Sequence, residues 1–254
     1  MHGFAILLRK EIAEGWRSRR TPVVLALFFV MGLAAPLLAR FTPDIVTASG
    51  GAGLAAAIPT PTTADAVDQF GKLTGQLGAF VAILLAMGAV ATDRERGTAA
   101  LLLVKPVGRP AYLASKMVAI AATLLAASIV AGVTATAYTA VLFEVLPPTG
   151  TVIAIALTWL GLLVPAAITF LGSVVGRSAA VAAGLGFAWV VLGGILAALP
   201  SVGGDMPAAL TAQARSFALG AGASGPLAAP LVVTLAILTG AALAAWQAFA
   251  RLEL

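Results

Sequence analysis

The chain has 254 residues, 61% of them hydrophobic and only 10% charged, with a net charge of +5 and a mean hydropathy of +1.05. A soluble domain of this size carries about a quarter charged residues, so a water-soluble globular fold is excluded and an integral membrane protein is expected. Cysteine is absent, which excludes a disulfide framework and a thiolate metal site.

Residues 1–20 come first. "GFAILLRKEIAEGWRSRR" puts Phe4, Leu7, Leu8, Ile12 and Trp16 on one face of a helix, with Arg9, Lys10, Glu14 and Arg17 mostly opposite. That pattern predicts an amphipathic helix lying in the membrane interface. Six charge-poor runs follow, at about residues 22–39, 73–92, 117–142, 151–175, 178–199 and 228–250. Each approaches or exceeds the roughly 20 apolar residues that cross a bilayer as a helix. The first run is preceded by basic residues, as a signal peptide would be. The following "ARFTPDIV" lacks a small-x-small cleavage site, so an uncleaved anchor is expected.

Between the first two runs, residues 40–72 are rich in Gly, Ala, Pro and Thr, with helical character near residues 63–70. Asp65 and Asp68 would share a helical face, but no second acidic cluster completes a divalent-cation site. Thr63 and Asp65 therefore read as a helix-start cap. In the fifth run Ala180, Gly184 and Ala188 recur every four residues and mark a candidate close contact, either with another subunit or within the chain. Before the last run, Asp205 at a cap position, Pro207 in a first turn and Gly220 at the end bracket a short helix, from which Arg215 is expected to snorkel to headgroups. No internal repeat is visible, so an inverted-repeat carrier is not supported.

Basic residues are retained on the cytoplasmic side. With six spans and both termini inside, only Arg40, Lys72 and Arg215 among the 15 Lys and Arg face out. The inner side then carries +7 and the outer side −2, and the basic excess reflects topology, not affinity for nucleic acid.

The spans contain no carboxylate, amine or imidazole, and the sole histidine is His2. Unassisted hydroxyls such as that of Tyr138 are weak nucleophiles, which disfavours an intramembrane hydrolase. Ion-driven carriers hold an ionisable group at membrane depth to bind the driving ion, so work is expected to enter from outside the bilayer. A nucleotide site is not expected on this chain: Gly71-Lys72 is followed by Leu73 and preceded by Ala66, where a phosphate-binding loop needs Ser or Thr and Gly. The expected source of work is a separate ATPase.

The loop at residues 93–116, "DRERGTAALLLVKPVGRPAYLASK", places seven charges (Asp93, Arg94, Glu95, Arg96, Lys105, Arg109 and Lys116) around an apolar "AALLLV". At about 2.5 kcal/mol or more per charge the loop stays out of lipid. Thr98 is placed to cap a short helix over residues 99–104, with Asp93 and Glu95 near its positive end, Lys105 near its negative end and Pro106 closing it. Pro110 then starts a helix that runs into the third span through Lys116. A short helix joined to two spans transmits a push to both. Leu101, Leu102 and Leu103 suit a groove on a soluble partner, although an inert interfacial helix would have the same composition.

At "DRERGTAALLLVKPVGR", and at the amphipathic "LLRKEIAEGWRSRR", the sequence resembles the ABC-2 type transporter permeases, the membrane subunits of bacterial exporters of drugs, lipids and polysaccharides and of the nitrous oxide reductase maturation system. Asp93 stands where that family often has Glu. The resemblance covers essentially the whole chain. It implies an all-α membrane protein of six transmembrane helices, with an N-terminal interfacial helix and a cytoplasmic coupling helix between the second and third spans. It assigns docking on the ATPase to Asp93, Glu95, Arg96, Gly97, Thr98, Leu101, Leu102, Leu103, Lys105, Pro106 and Arg109. It also implies two copies of a cytoplasmic ABC ATPase that bind the ATP and Mg, no cofactor on this chain, a second permease copy as homodimer or similar paralogue, and the plasma membrane of a bacterium or archaeon. The small outer loops suggest no periplasmic capture domain, and a path of Ala, Gly, Leu and Thr suits export of a lipid or amphiphilic drug. Two other readings remain: a membrane scaffold or assembly factor without transport, and an intramembrane enzyme.

Overall fold

The computed structural model describes residues 2–50, 59–95, 109–176 and 178–251, and all regular structure among them is helical. The elements are α1 (His2–Arg17), α2 (Arg20–Ala48), α3 (Thr63–Leu73), a π-helical turn (Thr74–Gly78), α4 (Ala79–Ala86), α5 (Ala91–Glu95), α6 (Arg109–Leu142), α7 (Pro148–Val175), α8 (Ala179–Ala197), a short 3-10 turn (Gly203–Asp205), α9 (Ala209–Ala218) and α10 (Ala228–Ala250). Six segments are long and apolar enough to cross a membrane: α2, the stretch Thr63–Glu95, Pro110–Leu142 of α6, α7, α8 and α10. In hydrocarbon a backbone amide finds no water, and helices keep every such bond internal.

Small residues let the spans approach closely. A Cβ added at Gly32 of α2 would lie 2.5 Å from the carbonyl oxygen of Ala131 of α6, and one at Gly186 of α8 would strike Thr169 of α7. Without a hydrophobic drive between lipid-bathed helices, such contacts carry the packing. α7 lies at the centre and packs against the second, third, fifth and sixth spans, as well as α9. The buried side chains form a series of clusters along the bundle. One, with Leu7, Val90, Tyr112, Phe170 and Phe249, sits at the end where α1 packs. Another holds Phe28, Ala131 and Leu162, and a third, with Val67, Leu157 and Leu210, lies beneath α9 at the opposite end.

Several expectations are corrected here. Hydropathy ended the first span near residue 39, yet α2 continues to Ala48 and carries Arg40 and Asp44 on its last turns. Charge marks where lipid ends, whereas the helix ends where its backbone bonds end. The helical character expected near residues 63–70 is found in α3, which leads into the second span and begins with a capping box: the Asp65 amide donates to the Thr62 hydroxyl at 3.4 Å and the Thr62 amide to the Asp65 carboxylate at 2.7 Å. The cap residue is thus Thr62, not Thr63. Asp205 caps nothing on α9, since it lies in the preceding 3-10 turn and Ala208 holds the cap position. Gly220, at φ +76°, follows the end of α9 in the left-handed conformation that glycine adopts freely. Arg215 pairs with Asp68 of α3 instead of reaching for headgroups.

Candidate functional site

The segment of residues 93–116 begins in α5 and ends in α6, and these two described ends are knitted together by polar side chains. After α4 the chain makes a turn over residues 87–90, and the freed amides of Val90 and Ala91 both donate to the Ser173 hydroxyl of α7, each at 2.9 Å. This single buried oxygen holds the break in the second span against the fourth. On α5, Arg94 Nη1 donates to the carbonyls of Val174 at 3.0 Å and Gly176 at 3.3 Å, which would otherwise be orphaned at the C-terminus of α7. One turn of sequence therefore fastens α5 to the end of α7 twice.

Asp93 turns the other way, toward α6. Its Oδ2 accepts from the Tyr112 hydroxyl at 2.7 Å and from Lys116 Nζ at 2.9 Å. Lys116 also donates to Glu11 of α1 at 3.2 Å and lies 5.3 Å from the centre of the Tyr112 ring. Tyr112 in turn stacks on Phe249 near the end of α10, with ring centres 5.7 Å apart. Tyr112 and Lys116 are four residues apart on one helix face, which is why a single stretch of α6 serves both contacts. The Lys116 residue is only 6% exposed. A charge so far from water persists only when paired, and here two carboxylates flank one ammonium. Lys10 lies 3.6 Å from Glu11 and 3.4 Å from Glu14. Partial burial lowers its pKa, but Glu11 and Glu14 outweigh that, leaving it above the usual lysine value.

The cluster thus gathers α1, α5, α6, α7 and α10 at one end of the bundle. Of the residues singled out in the loop, Asp93 points into this cluster, Glu95 is exposed at the end of α5, and Arg109 opens α6. Arg96, Gly97, Thr98, Leu101, Leu102, Leu103, Lys105 and Pro106 lie outside the described residues. Ala180, Gly184 and Ala188 are exposed on α8 among the described residues, and the inward contacts of that helix come from Ala182 and Gly186.

Sequence reading missed three members of the site. Glu11 looked like one charge among many on an interfacial helix, and Ser173 carries no local mark. Tyr112 could have been noticed: it is one of two tyrosines and precedes Lys116 by four residues. Among the described residues no group of three His, Cys, Asp or Glu is placed to hold a metal. Chemically the arrangement is a clamp of paired charges and one phenol.

A family model described as "ABC-2 family transporter protein" matches residues 5–219. The chain is also similar to an uncharacterized transmembrane protein, YxlG, of Bacillus subtilis (strain 168), with 30% identity over 112 residues, 43% of this chain and 43% of that protein. The match spans less than half the length of that relative.

Proposed function

The chain belongs to the ABC-2 transporter family, and from that premise we propose that it is the permease subunit of an exporter driven by a separate cytoplasmic ATPase. It is a multi-pass membrane protein with six apolar helices. In the proposed assembly two permease copies, identical or paralogous, meet two ATPase copies that bind ATP and Mg. The cargo is a lipid, a drug or another amphiphile. Both termini and the loop of residues 93–116 face the cytoplasm, where positive charge is retained. Glu95, Arg96, Gly97, Thr98, Leu101, Leu102, Leu103, Lys105, Pro106 and Arg109 form the docking surface. Asp93 anchors it. Ala180, Gly184 and Ala188, exposed on α8, are the surface offered to the second permease.

The observation that carries this reading is the Lys116–Asp93–Glu11 cluster with Tyr112. A push on the loop enters α5 and α6 together. Because the same cluster ties them to α1, α7 and α10, the helix ends move as one body, which is what a lever between an ATPase and a membrane path requires. Proton-driven or ion-driven cycles need an ionisable group inside the span. The ionisable groups of this site sit instead at the helix ends.

The test is co-expression with a candidate ABC ATPase from the same genome, sought first beside the gene for this chain. Leu102→Asp is expected to abolish copurification and ATP hydrolysis by the complex while membrane insertion is unchanged. Copurification and hydrolysis at the level of the unaltered chain would overturn the docking role. Hydrolysis that no amphiphile stimulates would favour the scaffold reading.

A further inference from the structure

At the end of the bundle remote from the clamp a cavity of about 400 Å³ opens among α3, α6, α7 and α9. Cavities of roughly 300–1,000 Å³ are the size that takes up small molecules. Its deep wall is apolar, with Val67, Ala135, Ala154 and Ile155, and threonines including Thr139 and Thr158 are set among them. The charged residues all stand on α3 and α9: Asp68, Lys72 and Arg215. Asp68 and Arg215 pair with one another. Lys72 is exposed and has no ion pair among the described residues, so one cation is left over among the charged residues of the lining; Asp65, on α3 outside the lining, is near enough to feel both Lys72 and Arg215.

The roof is built to stay close. α9 rests on two glycines: a Cβ at Gly71 would come within 3.1 Å of the Thr211 methyl, and one at Gly150 would collide with the Phe217 carbonyl. Past α9 a second cavity of about 240 Å³ shares Thr158, Ala208 and Thr211 with the first and reaches Trp189. It borders the π-helical turn Thr74–Gly78, a rare backbone form that recurs at functional positions. An apolar wall does not hold water, and an unpaired cation beside it favours an acidic group at the mouth.

We propose that this cavity binds a single-chain anionic amphiphile, its hydrocarbon chain lying under α9 and its acidic head against Lys72. This is an amphiphile site contained within one permease subunit. It rests on the exporter reading only for the side of the membrane from which the ligand is held.

The probe is a long-chain fatty acid carrying a diazirine in its chain, photolysed with the full-length protein in zwitterionic nanodiscs, with adducts mapped by mass spectrometry. No ATPase or nucleotide is present, so the outcome is separate from that of the docking test. Adducts are expected on residues 132–139, 151–158 and 208–218. Unlabelled fatty acid should displace the probe roughly tenfold better than the matching neutral alcohol, the increment of a charge-assisted contact. Lys72→Glu, at an exposed position, should erase that preference, and Ala135→Phe should suppress cavity labelling. Adducts spread over lipid-facing residues such as Val133 and Val232, or equal displacement by acid and alcohol, would overturn the proposal.

Discussion

Lys116 Nζ stands 2.9 Å from Asp93 Oδ2, joining the foot of the third span to the end of the second across the loop that both bound. The lysine side chain is 7% exposed and the aspartate 21%, so neither charge is well hydrated. Removing Asp93 leaves Lys116 with Glu11 alone, and removing Lys116 leaves Asp93 with the Tyr112 hydroxyl, so each loss should cost part of the roughly 3–5 kcal/mol of a fully stranded buried charge. Lys116→Met and Asp93→Asn should each lower the thermal unfolding midpoint sharply. The double variant should recover part of the loss, with a coupling energy of about 0.5–3 kcal/mol in the cycle. Strict additivity of the two losses would show that the contact holds nothing together.

Ser173 and Ser128 make a matched contrast. The Ser173 hydroxyl accepts from two buried amides, whereas the Ser128 hydroxyl is buried with no hydrogen-bond partner among the described residues. Ser173→Ala strands both amides, and each buried unsatisfied donor costs about 1–3 kcal/mol. Ser128→Ala removes a penalty and should be neutral or stabilising. Unfolding in a mild detergent would compare them, and equal effects of the two substitutions would remove the assigned role of Ser173.

Two glycines of α7 separate packing from propensity. A Cβ at Gly150 collides with the Phe217 carbonyl at the end of α9, while one at Gly161 meets nothing within 4 Å. Gly150→Ala should lift α9, raising protease sensitivity in residues 209–218 and weakening fatty-acid labelling of the cavity. Gly161→Ala should leave both unchanged and add up to about 1 kcal/mol of stability, since alanine loses less entropy in a helix. The measurement is limited proteolysis of both variants. An unaltered digestion pattern for Gly150→Ala would mean that α9 is not seated there.

Sidedness is open to direct labelling, because the absence of cysteine makes every introduced thiol unique. Cysteine at Lys72 should react with a membrane-impermeant maleimide added to intact cells. Cysteine at Glu95 should react only after permeabilisation. The reverse pattern would invert the proposed topology and with it the docking role of the loop.

What sequence alone determined about this protein is additive. Whether a stretch of about 20 residues prefers lipid is a sum over its own side chains, so six spans, their order and the charged loop between the second and third were legible. Local chemistry also carried the helix start before Lys116. Where a helix ends proved less legible: α2 passes Arg40, because backbone bonding continues beyond the lipid boundary.

Only the tertiary structure decided which polar groups meet. Lys116 and Glu11 are 105 residues apart, Val90 and Ser173 are 83, and Arg215 and Asp68 are 147. No local window contains both members of such a pair. Lys116 read as one of seven charges that keep the loop out of lipid and is buried in the protein; Arg215 read as a headgroup contact and is an ion-pair partner. A buried charge or amide must be matched by whichever group the packing of small residues brings within about 3 Å, and that packing is a property of the whole bundle.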